Sequence, residues 1–334
     1  MTTWRARARS AWQRHAERCL LALAALALGA SLLRPGAVIE RARFEHVVVL
    51  DITQSMNVQD EAVDGRPLSR LAFAKHALRE SLLRLPCGSK LGWAVFTEYR
   101  SYLLLAPVEV CANLSELRAT LARIDGRMAW TGNSEIAKGV HSAIGIARQI
   151  AGTPSLVFVT DGHESPPLNP LHRPAFDDKP GEVGGLIVGV GALEPSPIPK
   201  TDAEGRPLGF WRADEVMQTD PHSQRRGDAP TEEALGQRAA RALEGTPGSE
   251  HLSALHETYL RLLAAEQGLA FHRLRTPQAL ADALMAPRLA RPVPVRADLR
   301  PALAALALCL VLARQAGWIG AWVRNARRRP ASLE

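Results

Sequence analysis

Cysteine is scarce in this chain. There are four in 334 residues, and Cys19 and Cys309 lie inside apolar runs, which leaves Cys87 and Cys111 as the one pair open to a bridge. No apolar run reaches the ~20 residues a spanning helix prefers. No repeat of solenoid or propeller period is present, which excludes those architectures. A basic face for nucleic acid is also missing. The net charge is +7, but five arginines against one glutamate put +4 in residues 1–18, and the same balance puts +4 in residues 314–334. The body between is left at −1. A basic isoelectric point made by two tails is not a nucleic-acid footprint, which needs clustering on the folded domain.

Each tail abuts an apolar run. The first is CLLALAALALGASLL, Cys19 to Leu33, between Arg18 and Arg34. The second is PALAALALCLVLA, Pro301 to Ala313, continuing past Arg314 and Gln315 into AGWIGAWV. Flanking arginines snorkel, and Trp318 and Trp322 suit a headgroup belt, so both runs are read as membrane anchors. Arg314 at mid-span would cost about 3 kcal/mol, so the second span either includes it or ends near Ala313. The first run has a competing reading as a cleaved signal peptide, since Ala27-Leu28-Gly29 is small-x-small. The positive-inside tendency then gives a cytoplasmic tail at 1–18, an anchor at 19–38, and a domain at 40–290 with a loop insertion at 194–230. A second anchor at 299–323 and a cytoplasmic tail at 324–334 follow. In a bacterium this is an inner-membrane protein with a periplasmic domain.

Between Cys87 and Cys111 sit two strand-like runs, KLGWAVFT and SYLLLAP, joined by Glu98-Tyr99-Arg100. A hairpin centred on Tyr99 has paired positions summing to 198, and so do 87 and 111. The spacing predicts a disulfide just beyond the ladder, which needs an oxidising compartment. The alternative is two unrelated buried thiols.

Strand and helix signals then alternate. Glu45 to Asp51 is a β-branched run, and Leu68 to Leu85 has helical spacing stopped by Pro86. Ser115 reads as the cap of the helix LSELRATLARI, and Ser134 as the cap of a helix from Glu135 to Ile150. Ser155 to Gly162 and Gly185 to Gly191 are strands. A helix at Leu252 to Gln267, a strand at Leu269 to Arg273 and a helix from Pro277 to Met285 complete the domain. Apolar strands alternating with amphipathic helices predict an α/β, doubly wound, mainly parallel Rossmann-like sheet with one antiparallel hairpin strand. Ligands in such sheets bind outside the carboxyl ends of the strands.

Two strands end there in carboxylates. HVVVLDITQSMN carries Asp51, Thr53 and Ser55 at alternate positions, which share one face if the chain stays extended, and VFVTDG carries Asp161. All are hard oxygen donors, with no imidazole or thiolate among them. That chemistry suits Mg²⁺, Ca²⁺ or Mn²⁺ rather than zinc. Asp51 alone would also serve as a helix cap. His163 reads as a solvated loop histidine.

The D-x-T-x-S at Asp51, the T-D-G at Asp161 and the helix start between them resemble the metal ion-dependent adhesion site of von Willebrand factor A (VWA) domains, over roughly residues 44 to 285. Thr53 replaces the usual serine and keeps the hydroxyl. The family's second-loop T-x-I-x-x-G-L aligns with Ser134 to Val140, which puts Ser134, rather than Thr131, in the ligand place. The resemblance implies a metal set of Asp51, Thr53, Ser55, Ser134 and Asp161. It also implies a binding role in which a partner's Asp or Glu completes the coordination.

Within the family, DITQSMNVQD, LPCGSKLG, PVEVCANLSEL, RMAWTGNSEIAKGV and FVTDGHESPPL resemble the MxaL-type proteins encoded with bacterial methanol dehydrogenase. This implies partnership with that enzyme or its other accessory proteins, in assembly or calcium insertion. A competing resemblance is to VWA proteins that work beside MoxR-type ATPases, which share an insertion like PIPKTDAEGRPLG (Pro197 to Gly209). A metal-dependent hydrolase would need a base near the metal, and only His163 offers one. Ser55 lacks histidine and acid partners at recognisable spacing. The expectation is therefore a binding module, not an enzyme.

Overall fold

The computed structural model describes residues 18–168, 174, 176, 179–202, 204–216 and 250–326, with side chains in the last helix described as far as residue 315. Most of both arginine-rich tails, and the insertion beyond 216, lie outside the described residues. In chain order the elements are α1 (18–32), β1 (Gly36–Arg43), β2 (Glu45–Asp51), β3 (Glu61–Val63), β4 (Arg66–Leu68), α2 (Arg70–Leu82), β5 (Lys90–Thr97) and β6 (Arg100–Glu109). There follow α3 (Leu114–Arg123), α4 (Ile136–Gln149), β7 (Ser155–Thr160), β8 (Gly185–Gly189), β9 (Ser196–Pro197), β10 (Pro199–Thr201), β11 (Pro207–Phe210) and α5 (Ala213–Val216). The chain ends with β12 (Leu252–Ser253), α6 (Glu257–Glu266), β13 (Ala270–Arg273), α7 (Pro277–Leu284), β14 (Arg291–Asp298) and α8 (Arg300–Ala326).

Two compact units result, 1–41 with 292–334 and 42–291. The larger is built on a six-stranded sheet of order β13-β8-β7-β2-β5-β6. Every pairing is parallel except β5 with β6. Alternation along β2 sends its side chains to opposite faces. Val48 and Leu50 join a core with α2, α3 and α7, and Val47 and Val49 join one with α4 and α6. Both faces being covered explains why the strands are apolar throughout rather than alternating. Gly139 lets α4 lie close to the sheet, because a Cβ there would sit 2.2 Å from the Phe96 ring.

The hairpin carries the expected disulfide, Cys87–Cys111, with Cα atoms 5.3 Å apart. Its register differs from a single 198 sum. Thr97 pairs Arg100 across a two-residue turn, where Glu98 adopts φ 60°. Two irregularities on the way to the base shift the pairing, so that Lys90 meets Glu109. The ladder therefore starts one short of the expected sum and ends one beyond it, bringing the cysteines together on average register.

Three element ends differ from expectation. Ser115 lies inside α3, where its hydroxyl donates to Glu116, and Asn113 takes the cap position with its side chain turned to the Glu109 carbonyl instead of capping the helix. The region 252–256 is not helical, because Leu252 and Ser253 pair with β9 and the Leu255 N–H donates to the Ala192 carbonyl. Helix α2 begins only at Arg70, capped by Ser69.

In the smaller unit β1 pairs with β14, and α1 meets α8 through Ala24, Ala27 and Ala307. The expected transmembrane anchors are corrected here: among the described residues no helix is long and apolar enough to cross a membrane. The described part of α1 covers residues 18–32. The apolar stretch of α8 from Ala302 stops at Arg314, about 18 Å at 1.5 Å per residue against the ~30 Å of a bilayer core.

Candidate metal centre

The carboxyl ends of β2 and β7 adjoin each other at the centre of the sheet, which brings Asp51 and Asp161 together although they are far apart in sequence. After β2 the chain stays extended through Thr53 (φ −67°, ψ 166°) and then turns as a 3-10 helix over Gln54–Asn57. Alternation thus accounts for Asp51 and Thr53 only. The tight turn brings Ser55 back, with its Oγ 3.4 Å from Thr53 Oγ1.

Asp51 is fully buried. Its Oδ1 accepts the Thr53 N–H at 2.9 Å and the Thr53 hydroxyl at 2.7 Å, and its Oδ2 accepts the Thr160 hydroxyl at 2.7 Å. Asp161, also fully buried, accepts at Oδ2 from Arg70 Nη1 (2.5 Å) and the Ser253 hydroxyl (3.0 Å). Its Oδ1 accepts the His163 N–H at 3.0 Å. Gly162 follows at φ 78°, a conformation that favours glycine, and its turn delivers the His163 N–H back to that carboxylate.

Ser134 answers the question of its alternative role. It does not cap α4: its hydroxyl is buried with no hydrogen-bond partner. The N–H groups of Ile136 and Ala137 are taken instead by the Glu164 carboxylate, at 3.0 and 3.2 Å. The Ser134 backbone is clamped by reciprocal bonds with Ser165, both 2.7 Å, and Glu135 N–H donates to the Glu98 carbonyl at 2.6 Å. Thr131 spends its hydroxyl locally, accepting from the Asn133 N–H at 3.2 Å.

A cleft of about 180 Å³ opens here, lined by Thr53, Ser55, Ser134 and His163 from the sheet end, and by Ile198 and Trp211 from the insertion. Ser165 makes a fourth hydroxyl residue in its wall, Glu215 and Glu250 line it as well, and Asp51 and Asp161 are fully buried at the strand ends. A buried, unpartnered hydroxyl is an expensive feature. With an all-oxygen donor set and two buried carboxylates, the residues present fit a hard divalent cation. Asp51 and Asp161 would supply the charge, and Thr53, Ser55 and Ser134 the neutral oxygens.

Sequence reasoning missed the cation already built into the centre. Arg70 is fully buried; its Nε and Nη2 donate to Asp60, and its Nη2 also reaches the Ser253 carbonyl. Burial pushes the Asp161 carboxyl up, but the Arg70 guanidinium, followed by His163, outweighs it and holds the group below the usual carboxylate range. Burial, then repulsion from Asp161, pushes Asp51 the other way, well above that range. A divalent cation beside the pair would relieve the same repulsion. His163, expected in solvent, is buried 6.0 Å from the His256 ring, and burial pushes its imidazole down to about 4. Nothing in the sequence around Arg70, Asp60 or Ser253 marks them out. A signal for Trp211 was present: a lone tryptophan in a polar insertion.

No family model matches the chain, and no curated protein matches it. Among solved structures, an aerotolerance-related membrane protein from Bacteroides fragilis NCTC 9343 is 17% identical, covering 72% of this chain and 96% of that one at a TM-score of 0.44. The conserved hypothetical protein BatB from Bacteroides thetaiotaomicron is 17% identical over 73% of this chain and 98% of its own, also at 0.44. A von Willebrand factor type A protein from Catenulispora acidiphila is 12% identical over 81% of this chain and 45% of that one, at 0.37. Similarities of this order carry no argument about what the chain does.

Proposed function

We propose that this chain is a VWA-type binding protein of the bacterial envelope that docks to an acidic side chain of a partner protein through a divalent cation. Asp51, Thr53, Ser55, Ser134 and Asp161 hold the cation, Mg²⁺ with Ca²⁺ or Mn²⁺ as alternatives, and the chain catalyses no reaction. The observation that carries this reading is the unpartnered Ser134 hydroxyl lining one cleft with Thr53 and Ser55. The Cys87–Cys111 bridge supports a periplasmic setting. Exposed Leu23, Leu26, Leu28, Leu308 and Leu312 on α1 and α8 support membrane association. By its resemblance to MxaL-type proteins, the partner is methanol dehydrogenase or another of its accessory proteins, and the role is assembly or calcium insertion. The experiment is a pull-down from envelope membranes with and without chelator, comparing wild type with Asp51→Ala. Capture that needs the metal and is lost in the variant supports the reading; equally strong capture in all conditions rejects it.

A second reading, a subunit working beside a MoxR-type ATPase, is favoured by the resemblance of Pro197–Gly209. Recovery of such an ATPase in the same pull-down, with methanol dehydrogenase absent, would select it.

A further inference from the structure

The insertion does more than decorate the surface. Strand β9 pairs with β12, whose Ser253 bonds Asp161. Ile198 is tied on both sides, its N–H to the His251 carbonyl and its carbonyl to the Trp211 N–H, each at 3.0 Å. Trp211 thereby reaches the cleft that Thr53, Ser55 and Ser134 line. Its ring is fixed: the Lys200 ammonium lies 4.4 Å from its centroid, and Lys200 is itself held by Glu215 at 2.8 Å. Yet Trp211 Nε1, a donor with no acceptor capacity, is buried without a partner.

Two residues lining one cleft therefore each carry an unpartnered polar atom, the Ser134 hydroxyl, which can donate and accept, and the Trp211 indole N–H, which can only donate. A carboxylate docked through a cation serves both, because the cation would take the Ser134 oxygen and one carboxylate oxygen while the other carboxylate oxygen accepts from the indole. The space of about 180 Å³ is below the ~300–1,000 Å³ of small-molecule pockets. It takes one side chain with a few waters, not a nucleotide or a cofactor.

We infer that Trp211 is the second anchor of an acid-binding cleft: its Nε1–H hydrogen-bonds the carboxylate oxygen that the metal leaves free, so the insertion selects a carboxylate over other metal ligands. This rests on the metal-docking reading above and adds a specific residue to it. Glu215 does not compete for that bond, being engaged by Lys200 and by the Arg212 N–H at 3.1 Å.

The test uses the full chain with ¹⁵N-labelled indoles, and a glutamate blocked at both its α-amino and α-carboxyl groups as the probe. In wild type, adding the probe shifts the Trp211 indole resonance downfield with Mg²⁺ present and not with chelator; Trp211→Phe assigns that resonance. Calorimetry on Trp211→Phe gives unchanged Mg²⁺ affinity and probe affinity weakened roughly tenfold, the size expected for a lost bond to a charged acceptor. An unmoved indole resonance in a wild type that binds the probe overturns the inference and leaves metal docking standing, and so does undiminished probe affinity in Trp211→Phe. Absence of Mg²⁺ binding by wild type overturns the metal reading and this inference with it.

Discussion

A hydroxyl that contributes nothing to the fold is the sharpest probe of what the fold is for. Ser134 Oγ is buried and makes no hydrogen bond, whereas Thr53 Oγ1 is spent on Asp51. Removing the two groups therefore has different consequences. Ser134→Ala deletes an unsatisfied polar atom, so the metal-free protein keeps its melting temperature or gains slightly. Its Mg²⁺ affinity falls by about tenfold, the loss of one neutral ligand. Differential scanning fluorimetry in chelator and calorimetry with Mg²⁺ check the two halves separately. A variant destabilised without metal would mean that the hydroxyl has a structural partner. Arg70 is the opposite case. It lies between Asp60 and Asp161, and removing one member of such a buried set strands the others. The centre thus combines two carboxylates with a guanidinium, so a cation held there would keep enough unmet charge to attract an acid, as proposed above.

At the scale of elements, α4 is held by a residue from another loop. Glu164 accepts two N–H groups of its first turn and the Tyr259 hydroxyl of α6, which joins α4, the β7 loop and α6 at one carboxylate. A helix N-terminus favours such a group, although burial still pushes Glu164 up to about 7. Glu164→Ala is expected to cost about 2 kcal/mol of unfolding free energy, as a lost cap with buried donors left open. It should also weaken Mg²⁺ binding, because Ser134 sits two residues before the freed turn. Glu164→Gln keeps an acceptor and should retain most of both. Urea titration and calorimetry read these effects; Mg²⁺ affinity untouched in the alanine variant would show that the clamp does not set Ser134. The β6 hairpin works similarly at the rim. Its turn residue Glu98 accepts the Trp130 indole N–H at 3.1 Å, and Trp130 meets Tyr102 edge-on at 5.2 Å, which steadies the segment leading to Ser134.

The whole molecule adds a pH dependence. His46 on β2 is fully buried; its Nε2–H donates to the Leu284 carbonyl at 3.0 Å, and its Nδ1 is unpartnered. Burial, aided by Arg291, pushes its imidazole down to about 4. Between that value and the unfolded value near 6.5 the unfolded chain binds the extra proton, so stability is full above about 6.5 and declines as pH falls toward 4. The loss approaches about 3 kcal/mol at 1.36 kcal/mol per pH unit. Glu164 acts in the opposite sense between about 4.5 and 7, since its folded form holds the proton more tightly. The clean measurement is therefore a difference: in chelator, His46→Gln should lose less stability than wild type between pH 7 and pH 4. Identical pH profiles for the two proteins would remove His46 from the account.

The sequence by itself determined the sheet strands, the helices between them, the hairpin bridge and the motifs ending in Asp51 and Asp161. Each is written in local periodicity or in neighbouring residue types, and the sheet order then forces the two strand ends together. Only the tertiary structure decided that Arg70 would neutralise a carboxylate 91 residues away. The same holds for Glu164, which caps a helix begun 28 residues earlier and so frees Ser134, and for Trp211 of the insertion, which reaches the cleft. Arg314 also interrupts the apolar stretch of α8 after about 18 Å, short of a bilayer core. Buried charges and donors take whatever partner the packing brings within about 3 Å. That partner is chosen by the meeting of distant segments, for which a linear pattern has no period.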